Sequence, residues 1–228
     1  MKKTCLFHKT LPALALALAL GACGGGGGGD DSSPGGGGSG GGSGGQTQSG
    51  SISACFSVDK TVNFKVLGIN VPSGVVAPYK NTTGPMTYNG RAVLGQTWYY
   101  SGAETTSATY LWTVTSSGVT PITWVHTMSD GSSVIVAPIT NAYPSDWSPG
   151  QSVNYSIDHG NNYIQRGTMT FVAFETITLA GKTFSNTCHL RQVENNTVVF
   201  EQWWVQGYGN IKAIDNFLGG TYQYNGDL

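Results

Sequence analysis

The chain offers few side chains that do chemistry, and their spacing matters more than their number. His126, His159 and His189 are separated by 33 and 30 residues. None falls in an H-x-x-x-H or C-x-x-C spacing, which is how neighbouring turns of one element present metal ligands. Packed or solvated histidines are the plainer reading, and no metal site is expected. Cys188 and His189 are sequence neighbours. On a strand, neighbours point to opposite faces, so they make a poor nucleophile and base pair. Glu175, Glu194 and Glu201 lie close enough in sequence for strand pairing to bring two together. Glycoside hydrolysis needs two carboxyls roughly 5–9.5 Å apart, and solvated strand-face charges are the alternative. The segment Gly41-Gly42-Ser43-Gly44-Gly45 fits G-x-S-x-G formally, but it lacks the strand-turn-helix that gives that motif meaning. No P-loop or dinucleotide fingerprint is present, and no cofactor is expected. These residues point to no catalytic set.

Aromatic residues carry more information. Trp98-Tyr99-Tyr100, Tyr110 and Trp112 flank one expected hairpin, and Phe200, Trp203 and Trp204 occupy the comparable place later in the chain. Adjacent Trp203 and Trp204 must put an aromatic on each face of a strand. A second apolar face needs either another layer of the fold or a ligand. The candidate ligand-facing set is therefore Trp98, Tyr99, Tyr100, Tyr110, Trp112, Trp203 and Trp204. The ligands that suit it are a lipid or acyl chain in a concave sheet, a sugar stacked on indole, or a protein partner. Ordinary packing within the fold is the competing reading.

The elements that would position these residues are strands. From residue 54 onward the chain is rich in Thr, Ser, Asn, Val and Tyr, and it holds 24 of the 25 aromatics. Those types suit strands and turns, and no 3.6-period segment of ten or more residues stands out. This region carries eight Lys and Arg against ten Asp and Glu. It therefore lacks the basic patch that nucleic-acid binding requires. Asn89-Gly90, Asp130-Gly131 and Gly219-Gly220 are dipeptides that tight hairpins use.

Sliding the chain on itself by 91 residues sets SVDKTVNF (57–64) on SPGQSVNY (148–155), MTYNGRAV (86–93) on ITLAGKTF (177–184), and Trp112 on Trp203. The matches fall at strand starts, turn glycines and paired aromatics. The expected architecture is all-β: antiparallel meanders in two duplicated units, 54–144 and 145–228, forming curved sheets or a half-barrel. Cys55 and Cys188 either form a disulfide or remain two buried thiols.

The first fifty residues differ in kind. Lys2, Lys3 and Lys9 precede the apolar run Leu11 to Leu20, and Gly21 and Ala22 follow. That order reads as a signal peptide over 1–22, because spanning a bilayer needs roughly 20 apolar residues. Residues 24–50 hold 16 of the 34 glycines and have almost nothing to bury. They read as a disordered linker, 23–53, with an r.m.s. reach of about 30 Å.

Leu20-Gly21-Ala22-Cys23 resembles the lipobox of bacterial lipoproteins. The resemblance implies cleavage before Cys23, acylation of that residue and anchoring in a membrane. Two or more acyl chains hold stably where one does not. Gly24, standing where an Asp would retain such proteins at the inner membrane, implies the outer membrane by the same resemblance. The second unit, from Trp147-Ser148-Pro149-Gly150 through Ala180-Gly181-Lys182-Thr183-Phe184 and Cys188 to Trp203, Trp204 and Gly207–Lys212, resembles a β-module of uncharacterised proteobacterial lipoproteins. It departs from that pattern at Leu179, where proline is usual. The likeness covers about 70 residues well and implies a curved all-β sheet. More distantly, that sheet is similar to the half-barrel of periplasmic lipoprotein carriers, without their lid helices. The expected function is non-enzymatic: a membrane-anchored lipoprotein whose β domain binds a hydrophobic ligand or an envelope partner. The alternatives are a purely structural envelope lipoprotein, or a carbohydrate-binding or carboxylate-based glycan-hydrolysing protein.

Overall fold

The computed structural model describes residues 50–136, 142–158 and 164–228. Cys23, His159, the signal segment and most of the linker lie outside the described residues. The described residues belong to one compact unit. They are all-β apart from one helical turn, α1 (Ile52–Cys55). The strands are β1 (Val62–Ile69), β2 (Pro78–Tyr88), β3 (Arg91–Tyr100), β4 (Thr105–Thr115), β5 (Gly118–Met128), β6 (Ser133–Val136) and β7 (Tyr143–Pro144). They continue as β8 (Ser152–Asp158), β9 (Ile164–Leu179), β10 (Lys182–Glu194), β11 (Thr197–Val205), β12 (Gly209–Asp215) and β13 (Thr221–Asp227).

All thirteen belong to one antiparallel sheet that does not close. Its order is β6-β5-β4-β3-β2-β1-β13-β12-β11-β10-β9-β8, with β7 pairing β5. Each half is a meander, β1 to β6 and β8 to β13, and β1 joins them by pairing with β13 over Val66↔Tyr224 to Ile69↔Thr221. The 91-residue offset recurs strand by strand. β3 and β10 begin at 91 and 182, β5 and β12 at 118 and 209, and β2 and β9 end at 88 and 179. The turns match as well. Asn89-Gly90 has φ of 50° and 75°, and Ala180-Gly181 has 48° and 78°. Two successive positive φ values are what a two-residue hairpin turn with the native strand twist demands.

One detail of that alignment is corrected by the structure. Trp112 was set on Trp203, yet Trp112 packs against Trp204, with centroids 4.8 Å apart. Where Leu111 and Trp112 pair with Thr123 and Pro121, the extra residue is Ile122 of β5. Where Trp203 and Trp204 pair with Lys212 and Asn210, it is Ile211 of β12. Both bulges lie on the partner strands, and the inward-facing tryptophan of the second unit is Trp204.

The sheet wraps far enough for distant strands to meet face to face. β4 and β11 are six places apart in the sheet order, yet Trp112 and Trp204 touch edge to face. Gln96 Nε2 on β3 donates to the carbonyl of Asn210 on β12 at 3.1 Å, and to Thr83 Oγ1 at 3.0 Å. The interior cluster includes Phe56, Trp112, Phe171, Leu190 and Trp204; Phe56 stacks on Trp204 at 4.1 Å. A second cluster, around Phe64, Phe184, Ile211 and Tyr224, lies on β1, β10, β12 and β13.

Packing starts earlier than residue 54. Ile52 is fully buried, and Ser51 caps α1 by accepting the Ala54 N–H. Four residues were too few to leave a helical period in the sequence. Cys55 is bonded to Cys188 on β10, with Cα atoms 6.1 Å apart. This tie fixes α1 and Phe56 against the inner face.

Gly118, at the start of β5, has φ +140°, and a Cβ there would sit 2.1 Å from the Tyr143 carbonyl oxygen of β7. A Gly118→Ala variant is expected to lose about 1–3 kcal/mol, because both the backbone conformation and the β5–β7 pairing oppose the methyl. Urea unfolding measures this, and an unchanged midpoint would remove Gly118 from the account.

Candidate functional site

A cavity of about 510 Å³ lies between the inner faces of β3–β5 and β11–β13. That is the size range of preformed small-molecule sites, about 300–1,000 Å³. Strand alternation builds its wall. Gln96, Trp98 and Tyr100 share one side of β3, Ala108, Tyr110 and Trp112 share one side of β4, and Phe200, Gln202 and Trp204 share one side of β11. Leu218 lines it too and is 55 % exposed, so the cavity opens beside the turn between β12 and β13. A smaller chamber of about 190 Å³ lies on the far side of Trp112 and Trp204, which line both spaces together with Tyr110, Phe200 and Gln202. Gln202 Oε1 accepts the Trp204 indole N–H at 2.6 Å and holds that ring between the chambers.

Five of the seven aromatics picked out from the sequence line the large cavity: Trp98, Tyr100, Tyr110, Trp112 and Trp204. Tyr99 and Trp203 do not, and for both the reason is period two. Tyr99 points away from Trp98 and Tyr100 and lies under the Lys80 ammonium at 4.9 Å. Trp203 faces opposite to Trp204 and belongs to a polar network on the other face of the sheet. Phe200 and Tyr222 line the cavity but were not in the ligand-facing set. Tyr222 sits in a strand whose inward register depends on the β1–β13 seam, which no local pattern reveals.

The carboxylates lie elsewhere. His189, buried and stacked on Trp203 at 4.2 Å, has Nδ1 2.8 Å from Glu175 Oε1 and Nε2 2.6 Å from Glu201 Oε2. The Trp203 indole N–H donates to Glu175 Oε2 at 2.8 Å, and Arg191 donates twice to Glu201 Oε2 at 3.1 Å. Both carboxylates are thus engaged around one ring, and neither lines either of the two cavities described above. Glu194 accepts from Tyr155 and Gln192. Among the described residues, no three His, Cys, Asp or Glu side chains are grouped to hold a metal ion. Cys188 faces inward to its disulfide while His189 faces outward, as alternation requires.

Burial sets the ionisation of the cavity wall. The Tyr110 phenol is pushed up to about 12, by burial first and then by the Asp215 charge. Tyr100 and Tyr222 are also raised, chiefly by burial. All three stay neutral donors at any physiological pH. Burial lowers the pKa of His126, which also reaches the cavity, below its ordinary value of 6.5.

The unfolded chain therefore binds a proton at His126 before the folded one does. Stability is expected to be insensitive to this group above pH 6.5 and to fall as the pH drops below it. Asp130 and Asp227, whose pKa values are lowered from 3.8, act only in a more acidic window. Urea midpoints at pH 7.5 and 5.5 are expected to differ in the parent chain and to converge in His126→Gln. Equal midpoints in the parent would contradict the assignment.

The chain matches no protein-family model, no curated protein and no solved structure. The fold and the cavity define an all-β protein built on one wrapped, open sheet with an aromatic chamber inside it.

Proposed function

We propose that this is a membrane-anchored bacterial lipoprotein, held at the outer membrane through Cys23. Its β domain takes a hydrophobic ligand into the chamber between β3–β5 and β11–β13. The observation that carries this reading is the 510 Å³ cavity, whose wall includes seven aromatic side chains and which opens beside Leu218. A wall of indole and phenol rings offers large apolar area at little conformational cost, and its few polar groups orient rather than attract. The 27 linker residues from 24 to 50 leave the domain free to reach ligand within about 30 Å of the bilayer. The role is binding, not catalysis: Glu175 and Glu201 are committed to His189 and stand outside both chambers. Neither nucleic acid nor a cofactor belongs to this account.

The test uses a neutral solvatochromic naphthylamine dye. Dye emission excited by energy transfer from tryptophan is expected to saturate at one dye per chain. Ala108→Leu, which pushes a side chain from β4 into the chamber, is expected to weaken binding at least about fivefold. Non-saturable emission, identical in both proteins, would favour the purely structural envelope role instead.

A further inference from the structure

The chamber is lopsided in charge. Asp215 is the one carboxylate among the described residues that line it, and no lysine or arginine lines it. His126 adds no positive charge near pH 7, because its buried ring holds a proton less readily than usual. Asp215 ends β12. Its Oδ1 accepts the backbone N–H groups of Phe217 and Leu218 at 2.9 and 2.8 Å, which fixes the carboxylate at the turn beside the mouth. Tyr100, Tyr110 and Tyr222 all feel its negative charge. The carboxylate and three phenol rings therefore surround one space.

The carboxylate and the ring faces of that space favour positive charge. Aromatic faces are the negative part of the ring quadrupole, and they attract a cation within about 6 Å. An anionic head group would lie beside Asp215 in a desolvated wall with no cationic partner, which is costly. A primary ammonium carries three N–H donors and holds its water strongly. An alkylated ammonium has few or no donors to satisfy, sheds water readily and suits a cage of rings with one carboxylate.

We propose that the chamber's ligand is a cationic amphiphile, an alkylated organic ammonium. Its head group sits among Tyr100, Tyr222 and Asp215, and its apolar tail runs past Trp98 toward Trp112 and Trp204. This rests on the hydrophobic-ligand reading and adds the charge of the head group to it.

The experiment titrates the full chain at pH 7.5 with three probes of equal tail length: octyltrimethylammonium, 1-octanol and octanoate. Intrinsic tryptophan fluorescence reports binding. The ammonium is expected to bind about tenfold tighter than the alcohol, with octanoate weakest. Asp215→Asn keeps the turn-capping oxygen and removes the charge. It is expected to abolish most of the ammonium preference over octanol and to improve octanoate. The ranking in the parent chain stands without the variant, should the variant fold poorly. If octanol saturates but the ammonium binds no tighter, the head-group inference is overturned and the hydrophobic-ligand reading survives. If Asp215→Asn leaves the ratio intact, Asp215 is not the determinant and the inference is likewise overturned. If none of the three saturates, both fall.

Discussion

Replacing Cys55 and Cys188 together with alanine is expected to destabilise the fold by about 3–5 kcal/mol. The bridge spans 133 residues, and in the chain-entropy model a loop of that length restricts the unfolded state by about 5 kcal/mol. The native state also loses an anchor. α1 is a single turn whose purchase on the sheet consists of Ile52, Cys55 and Phe56, all nearly fully buried. Without the bridge, a four-residue helix has too little cooperativity of its own to stay docked. Its release would withdraw Phe56 from its stack on Trp204 and expose the inner cluster. Urea unfolding with and without reductant checks this, and reduced parent and double variant should agree. A loss under about 1 kcal/mol would mean that the sheet's own pairing, not the tie, holds β10 and the N-terminal segment in register.

Trp204→Ala carries the other large effect, also about 3–5 kcal/mol. Trp204 is 1 % exposed. It stacks on Phe56, meets Trp112 edge to face and donates its indole N–H to Gln202. Removing it leaves a void where the two halves of the wrapped sheet touch, and a void walled by rigid strands collapses poorly. It would also join the two chambers, since Trp204 lines both. The variant is therefore expected to unfold at lower urea and, while folded, to accept a longer hydrophobic probe than the parent. Trp203→Ala is the instructive contrast. It strips the His189 network of its stacking partner and of the N–H to Glu175, and it leaves the chambers separate. Equal effects of the two substitutions on probe length would contradict the assignment of inner and outer faces.

Much of the strand plan was legible before any coordinate, and the reason is local. The hairpin turn at Asn89-Gly90 needs left-handed backbone at two successive residues, and both residue types mark it; at Ala180-Gly181 the glycine alone does. The 91-residue offset worked because each meander depends on neighbours in sequence. Two features did not depend on neighbours and were not legible. The seam between β1 and β13 joins residues more than 150 apart, and it decides that Tyr222 lines the chamber. The packing of β11 against β4 across the interior decides that Trp204 and not Trp203 faces inward. Alternation separated Trp203 from Trp204 correctly as a pair on opposite faces, but period two alone has no way of naming the inner one. Asp215 passed unremarked for the same reason: a lone aspartate before a turn reads as a capping residue, which it also is.

Native mass spectrometry of the chain, isolated in detergent-free polymer discs from the membranes of the cells that make it, reads both the acyl anchor and the bound ligand. Two additions to the mass of residues 23–228 are expected. One is covalent, carried by an N-terminal peptide beginning at Cys23. The other is a non-covalent mass of a few hundred daltons, one per chain, retained in the folded protein and released on unfolding. A chain that carries no releasable mass from its own membrane, and takes none up when octyltrimethylammonium or octanol is added, would contradict the binding role.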